Sequence, residues 1–286
     1  MKLFPRRTNT AQPDKRKIEA ELKTLSGTRM DGFRCYKESD IGAISFPDWA
    51  RFAGSVNDPD QIRNAIYYAF QPLYDALVRG EGGSRRAGAV DALSSLTRLG
   101  VKYLTGYYRG EPDVKLFRNE LEQIGPQMKQ LSSVRYETKF RNVDRNGINP
   151  AGIHSFLRQL LENALDGKTK VPDYVIGCAC GSSEIVMPLS GILEVDLGFI
   201  RRSHRRGDDD PVIVPEHKQG LRAGSEGKNV LCVEDYVCTA TSLSKVMERA
   251  RSYGAASVAG ASVNCTGSDR LRRIVGERKF NLFEFR

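Results

Sequence analysis

The segment from residue 229 to residue 243, NVLCVEDYVCTATSL, constrains the fold of this chain more than any other segment. Its apolar run at residues 230–233 predicts a buried strand that ends at the acidic pair Glu234 and Asp235. A short loop of small and hydroxyl-bearing residues follows, and apolar residues then recur at helical spacing up to Gly254. Since residues 256–263 predict another buried strand, the pattern indicates a strand–helix–strand unit of a parallel sheet with a right-handed crossover.

The turn between this strand and this helix has the chemistry of a phosphate site. The first N–H groups of a helix lack partners within the helix and point outward with the positive end of the helix dipole. Thr239, Thr241 and Ser242 add hydroxyl donors at the same turn. The acidic pair would repel a phosphate if it faced the anion, so we expect it to face vicinal ribose hydroxyls or a hydrated divalent cation such as Mg²⁺.

These residues resemble the phosphoribosyl pyrophosphate (PRPP) signature of type I phosphoribosyltransferases. The resemblance implies that Glu234 and Asp235 grip the 2- and 3-hydroxyls of ribose and meet Mg²⁺ through PRPP and water. It implies a loop for the 5-phosphate made of residues 238–242, namely Cys238, Thr239, Ala240, Thr241 and Ser242. The family usually has glycine at the position of Ala240, and alanine fits there only with a φ outside the region that glycine favours.

A second segment, DYVIGCACGSS at residues 173–183, resembles the pyrophosphate loop of the same family. Residues 174–176 predict a strand, and Gly177 and Gly181 match the glycines of a turn whose backbone N–H groups hold the leaving group. The basic residue that often precedes the second glycine is replaced by Cys180. The predicted loop consists of Cys178, Ala179, Cys180 and Gly181.

A third segment, at residues 199–217, follows a strand predicted at residues 192–197 and resembles the family's mobile basic loop. Such a loop closes over PRPP, excludes water and neutralises the charge that develops on pyrophosphate. Its predicted members are Arg201, Arg202, His204, Arg205 and Arg206, with Arg202 counted among the catalytic residues beside the acidic pair. The three segments occur in the family's order, which implies a Rossmann-like α/β core with a central parallel sheet over residues 148–286.

The first half of the chain is predicted to be mainly helical. Residues 1–28 are basic and polar and predict a flexible arm with a helical turn at residues 17–25. Residues 29–147 form a mainly helical region, with helices that begin at Asp58 and span residues 86–107 and 114–131. Another helix, which starts at residues 148–150 and runs to residue 165, leads into the core. The tyrosines of residues 29–147 recur at helical spacing, which favours a role in packing over base stacking. We expect a small bundle that covers the sheet, and an interaction surface is the alternative.

Composition limits the class of protein. The chain has 286 residues with 40% hydrophobic composition, which is typical of a globular protein. It contains no apolar stretch near the ~20 residues of a membrane helix and no signal-peptide core at its start, so we expect a cytoplasmic protein without membrane contact. The net charge of +9 suits either a polyanionic substrate or a nucleic acid or nucleoprotein assembly.

Six cysteines occur, without the two-residue gap of zinc knuckles. We expect them to be small buried apolar side chains in a reduced compartment. The alternatives are a redox-sensitive cluster of Cys178, Cys180 and Cys238 in the phosphate site, or metal binding.

The resemblance implies transfer of the 5-phosphoribosyl group from PRPP to a nitrogenous base, with Mg²⁺ and release of pyrophosphate. The purine-specific branch carries an aspartate base where this chain has Cys238, so salvage of hypoxanthine or guanine is disfavoured. The alternative is a regulator or effector subunit that binds PRPP or a nucleotide without turnover, in a larger assembly. A toxin-like effector that uses the same site is a third reading, and a homodimer is an expectation from the resemblance.

Overall fold

The structure, a computed structural model, describes residues 14–30, 53–80, 83, 86–129, 131, 150–179, 181–202, 210–237, 240–265 and 282–283. Its helices are α1 (Lys15–Gly27), α2 (Pro59–Val78), α3 (Arg86–Tyr108), α4 (Val114–Lys129), α5 (Pro150–Leu165), α6 (Ser183–Leu193), α7 (Lys218–Ser225) and α8 (Thr241–Ser252). Its strands are β1 (Tyr174–Ala179), β2 (Asp196–Arg201), β3 (Asn229–Val237), β4 (Ser257–Cys265) and β5 (Leu282–Phe283). A 3₁₀ turn, Pro215–His217, precedes α7.

The strands form one sheet in the order β2-β1-β3-β4-β5. The first four strands are parallel to their neighbours, and β5 is antiparallel to β4. From β1 the chain moves outward to β2 and then crosses over β1 to reach β3, so the strand order reverses between β1 and β3. Open α/β sheets bind ligands in the crevice at such a reversal, outside the carboxyl ends of the strands. The predicted α/β class with a central parallel sheet is confirmed.

Apolar side chains are buried on both faces of this sheet. One cluster joins the sheet to helices α1 to α6, and a second cluster packs α7 and α8 on the opposite face. Helix α8 begins and ends where the periodicity predicted, and its Leu243, Val246 and Met247 are fully buried against the sheet. The sheet is therefore a layer between helices, as its near-continuous apolar strands require.

The region before the sheet is helical and packs directly on the α/β core. Asp58 caps α2 through a hydrogen bond that its carboxylate accepts from the backbone N–H of Asp60, at 2.9 Å. Helix α3 approaches α6 closely: a side chain at Gly100 would overlap Met187, and one at Gly191 would overlap Thr105. The tyrosines at positions 68, 74, 103, 107 and 108 are buried, so the prediction that they pack is confirmed for them.

The predicted flexible arm needs a correction. Residues 15–27 form α1, in which Ile18 and Leu25 are buried, and this helix contacts α5. His154 of α5 forms a hydrogen bond with the backbone of Leu25, which helps hold the two helices together. In the sequence, the apolar stripe of this mostly charged helix is too short to show whether the helix packs on the protein or forms a solvated arm. The predicted boundary at residues 147 and 148 lies outside the described residues.

The strand predicted at residues 192–197 is wrong. Ile192 and Leu193 end α6, and the strand β2 begins at Asp196 and runs to Arg201. The predicted basic loop is therefore shorter than residues 199–217, because its first residues belong to β2 and its last residues form the 3₁₀ turn. Within the described part of the chain, no helix has the length and apolar composition to cross a membrane.

Candidate functional site

The carboxyl ends of β1 and β3 bring the first two predicted segments together. The pairing of β3 with β1 ends at Val233 opposite Gly177, and the acidic pair follows directly after that position. Strand β3 does not end at the acidic pair, as the sequence predicted, but continues beside β4 to Val237. A side chain at Gly181 would overlap the carboxylate of Asp235. Since only glycine leaves room for that carboxylate, Asp235 lies against the backbone of the predicted pyrophosphate loop. Sequence position alone had not placed these residues in contact.

Glu234 lies on the side of helix α8. Its carboxylate accepts a hydrogen bond from the backbone N–H of Leu243, in the first turn of that helix. Burial, and next the charge of Asp235, raise the pKa of Glu234 to about 8, while the Leu243 N–H and Arg202 act in the opposite direction. Near neutral pH the protonated form of the Glu234 carboxyl is therefore favoured in the unliganded protein. A ligand that brings positive charge or hydroxyl donors would favour its ionisation.

The predicted loop for the 5-phosphate is described from Ala240 onward, and Cys238 and Thr239 lie outside the described residues. Ala240 has φ 57° and ψ 4°, which is the left-handed region that favours glycine. Its carbonyl accepts the backbone N–H of Ser244 at 2.8 Å and thereby starts α8. The loop keeps the backbone shape of a glycine turn although its residue carries a Cβ, at a conformational cost of about 1 kcal/mol. Thr241 is exposed and Ser242 is half-buried at this turn.

Arg202 connects the predicted basic loop to the phosphate turn. Its Nη1 donates to Ser242 Oγ at 3.2 Å, which places a guanidinium beside the N-terminus of α8. His204, Arg205 and Arg206 lie outside the described residues. Arg201 was predicted in the loop, but it is the last residue of β2 and is 4% exposed. Its Nε lies 2.9 Å from Asp75 Oδ1 of α2, because a guanidinium buried at a strand end requires a carboxylate partner.

The predicted pyrophosphate loop begins inside β1. Cys178 and Ala179 are buried residues of that strand, Gly181 begins the turn into α6, and Cys180 lies outside the described residues. Ser182 is fully buried, and its Oγ donates to the carbonyl of Cys178 at 2.8 Å, which closes the turn. Sequence reasoning missed this serine, although a hydroxyl residue just before a helix is a known signal for a cap or turn.

Cys178 and Cys232, in β1 and β3, are buried and free of disulfides. Burial raises the pKa of the Cys178 thiol well above its usual value, and burial also raises the pKa of Cys232 to about 12. Both thiols are therefore poor nucleophiles, and the prediction of buried apolar cysteines is confirmed for these two. The other members of the predicted redox cluster, Cys180 and Cys238, lie outside the described residues.

The residues present suit Mg²⁺ only in combination with a ligand. In the described ranges, no group of three or more His, Cys, Asp or Glu side chains is placed to hold a metal. The crevice supplies the carboxylates of Glu234 and Asp235, and Mg²⁺ commonly binds through one or two carboxylates together with water and phosphate oxygens. The donor set thus fits Mg²⁺ that arrives with a polyphosphate.

Comparisons with known proteins found one matching family and a similar solved structure. Residues 143–275 match the model of the phosphoribosyl transferase domain family. A search of solved structures found a purine phosphoribosyltransferase from Pyrococcus horikoshii Ot3, with 24% identity, 40% of this chain and 70% of that chain covered, and a TM-score of 0.31. No protein with a curated description matches significantly. This part of the chain is a phosphoribosyltransferase domain of the type I family.

Proposed function

We propose that the crevice binds PRPP with Mg²⁺ and that the protein transfers the 5-phosphoribosyl group to a nitrogenous base. One observation carries the proposal: Asp235 lies against Gly181 while Arg202 reaches Ser242. The segments that the sequence relates to ribose, to pyrophosphate and to the 5-phosphate therefore meet at one edge of the sheet. A bond forms between the nitrogen of the base and C1 of the ribose, and the bond from C1 to pyrophosphate breaks.

Each described group has a role that follows from its position. Glu234 and Asp235 accept hydrogen bonds from the ribose hydroxyls, and bound Mg²⁺ at these carboxylates would offset negative charge on the pyrophosphate oxygens. The backbone N–H groups at the start of α8, with Thr241 and Ser242, hold the 5-phosphate. Arg202 adds a positive charge beside the phosphate turn, where it favours binding of the polyanion.

A second candidate is a PRPP-binding regulator without turnover. It is favoured by the contact between the helical region and α6, the helix that directly follows the pyrophosphate loop. The side chain of Arg63 on α2 forms an ion pair with Glu184 in the first turn of α6. Ligand at the loop can thus influence helices outside the phosphoribosyltransferase domain, which a sensor requires.

Isothermal titration of PRPP with Mg²⁺ tests the shared part of both candidates. Wild-type protein should bind, and the double variant Glu234→Ala, Asp235→Ala should lose at least tenfold in affinity, because it lacks the ribose acceptors. Glu226→Ala is the control, since Glu226 is an exposed residue after α7 and is predicted to leave affinity unchanged. Absence of binding by the wild type would reject both candidates.

Pyrophosphate release then separates the enzyme from the regulator. Wild type is incubated with PRPP, Mg²⁺ and a panel of purine and pyrimidine bases, and pyrophosphate is measured with a coupled phosphate assay. Base-dependent release that the double variant lacks supports the transferase. Tight PRPP binding without release for any base favours the regulator.

A further inference from the structure

A buried ion pair joins the helical region to the helix after the pyrophosphate loop. Glu184 lies three residues after Gly181, in the first turn of α6, and is 3% exposed. Arg63 of α2 is 1% exposed, and its Nη1 contacts Glu184 Oε1. We infer that Arg63 is a positioning residue for the pyrophosphate loop, an inference that rests on the proposed function. Arg63 lies outside the matched residues 143–275.

The start of α6 carries both the positive end of the helix dipole and the negative charge of Glu184. The first turn of a helix carries outward-pointing N–H groups and the positive end of the dipole, and an anion binds there for that reason. Glu184 places a fixed carboxylate in the same turn, where the dipole stabilises it. Without a partner this carboxylate would compete with pyrophosphate for the positive field and repel it across a poorly solvated protein interior. The guanidinium of Arg63 cancels that charge.

Arg63 is held in place by its own neighbours. Its guanidinium lies 5.8 Å from the centre of the Tyr107 ring, a cation–π distance. The Tyr107 hydroxyl hydrogen-bonds to Asp60 of α2, and Nη2 of Arg63 lies 3.5 Å from Asn64 Oδ1. A fixed guanidinium neutralises Glu184 in one geometry, so the turn from Gly181 to Glu184 is oriented by a helix that belongs to another part of the chain.

The sign of the effect separates this role from ordinary stabilisation. If the pair only holds α2 to α6, breaking it from either side should weaken every ligand alike. If Arg63 neutralises Glu184 for the loop, Arg63→Met leaves a negative charge beside the pyrophosphate site, whereas Glu184→Gln leaves a positive one. The two variants should then change pyrophosphate affinity in opposite directions.

The test uses full-length protein and two probes, inorganic pyrophosphate with Mg²⁺ and ribose 5-phosphate. Pyrophosphate requires the loop, and ribose 5-phosphate requires the acidic pair and the phosphate turn. Titration calorimetry should show about tenfold weaker pyrophosphate binding for Arg63→Met, the size expected for one nearby charge in a medium of intermediate dielectric. Ribose 5-phosphate affinity should stay within about twofold, and Glu184→Gln should bind pyrophosphate at least as tightly as wild type.

A double variant and a control keep the test decisive if Arg63→Met folds poorly. Arg63→Met with Glu184→Gln removes both charges and should restore pyrophosphate affinity to within about threefold of wild type. Arg109→Met breaks another ion pair, with Glu21 of α1 at 2.6 Å, and should leave both affinities unchanged. Equal loss of both probes in Arg63→Met, or no rescue in the double variant, overturns the inference. Failure of wild type to bind PRPP would instead reject the proposed function.

Discussion

The interface between the helical region and the core differs from the edge of the sheet at the acidic pair in the arrangement of its charged side chains. At the interface two buried ion pairs join opposite charges: Arg63 pairs with Glu184, and Arg201 pairs with Asp75. At the edge two carboxylates stand side by side, and their proximity and burial raise the pKa of Glu234. Ala240 adds a left-handed backbone at the same edge.

This difference indicates that the fold depends on the interface, whereas the edge of the sheet depends on a ligand. Compensated charges in a packed interface hold the chain in one arrangement, but they are costly to break from one side. Two adjacent carboxylates and an unfavourable φ lower the stability of the unliganded protein, and such features are typical of functional sites. Mutations at the interface should therefore lower the free energy of unfolding, and mutations at the edge should raise it.

The largest effect is expected at the interface. Asp75→Ala leaves the guanidinium of Arg201 buried without its carboxylate and should lower the free energy of unfolding by about 3–5 kcal/mol. Urea denaturation followed by circular dichroism measures the change. Glu122→Ala, at an exposed position of α4, is the control and should change stability by less than about 0.5 kcal/mol. A loss in Asp75→Ala no larger than in the control would contradict the role given to the pair.

A buried histidine near the interface gives the next effect. Burial lowers the pKa of His217 from 6.5 to about 4, so the unfolded chain binds a proton between these values and the folded protein does not. The contribution of His217 to stability is present above pH 6.5 and is lost as the pH falls to 4, by about 3 kcal/mol in total. Comparison of wild type with His217→Asn in urea at a series of pH values isolates this loss. Parallel pH profiles for the two proteins would contradict it.

Glu234 should produce the opposite pH dependence. Its pKa rises from 4.5 to about 8 on folding, so the folded protein binds the extra proton between these values. Stability from this group is present below pH 4.5 and is lost as the pH rises to 8. In unliganded protein, Glu234→Gln should be more stable than wild type at pH 8, by on the order of 2 kcal/mol. The advantage should vanish near pH 4, and a less stable variant at pH 8 would show that the carboxylate is compensated.

The smallest effect concerns the phosphate turn. Ala240→Gly removes a Cβ from a left-handed residue and should raise the free energy of unfolding by about 0.5–1 kcal/mol. Ala250→Gly in the interior of α8 is the matched control, and it should lower stability by about 1 kcal/mol. Chemical denaturation of both variants gives the comparison. If both lose stability equally, the backbone at Ala240 carries no strain.

The sequence predicted the strands and helix around the acidic pair because their apolar periodicity is bounded by clear breaks. It misplaced β2, since α6 is buried on nearly all sides between the sheet and α3. A helix that is apolar all round shows no amphipathic period, and its last turn was therefore joined to the following strand.

The pairing of Arg63 with Glu184 and that of Asp75 with Arg201 could not be deduced in the same way. Charged residues on an amphipathic helix usually lie on its solvated face, and only the tertiary structure shows that Arg63 and Asp75 are buried with partners. The left-handed φ of Ala240 is likewise set by its loop, and only the structure shows it. The candidate site was thus predicted by its motifs, while the contacts that hold it came from the fold.

PRPP-dependent stabilisation tests the central claim most directly, namely that the edge of the sheet with the acidic pair is a PRPP site. Urea unfolding is measured with Mg²⁺, with and without PRPP, for wild type and for Glu234→Ala with Asp235→Ala. At a PRPP concentration a hundred times its Kd, the free energy of unfolding of wild type should rise by about 2.7 kcal/mol. The double variant should show almost no rise at that concentration. An unchanged wild type, or an equal rise in the double variant, would contradict the account.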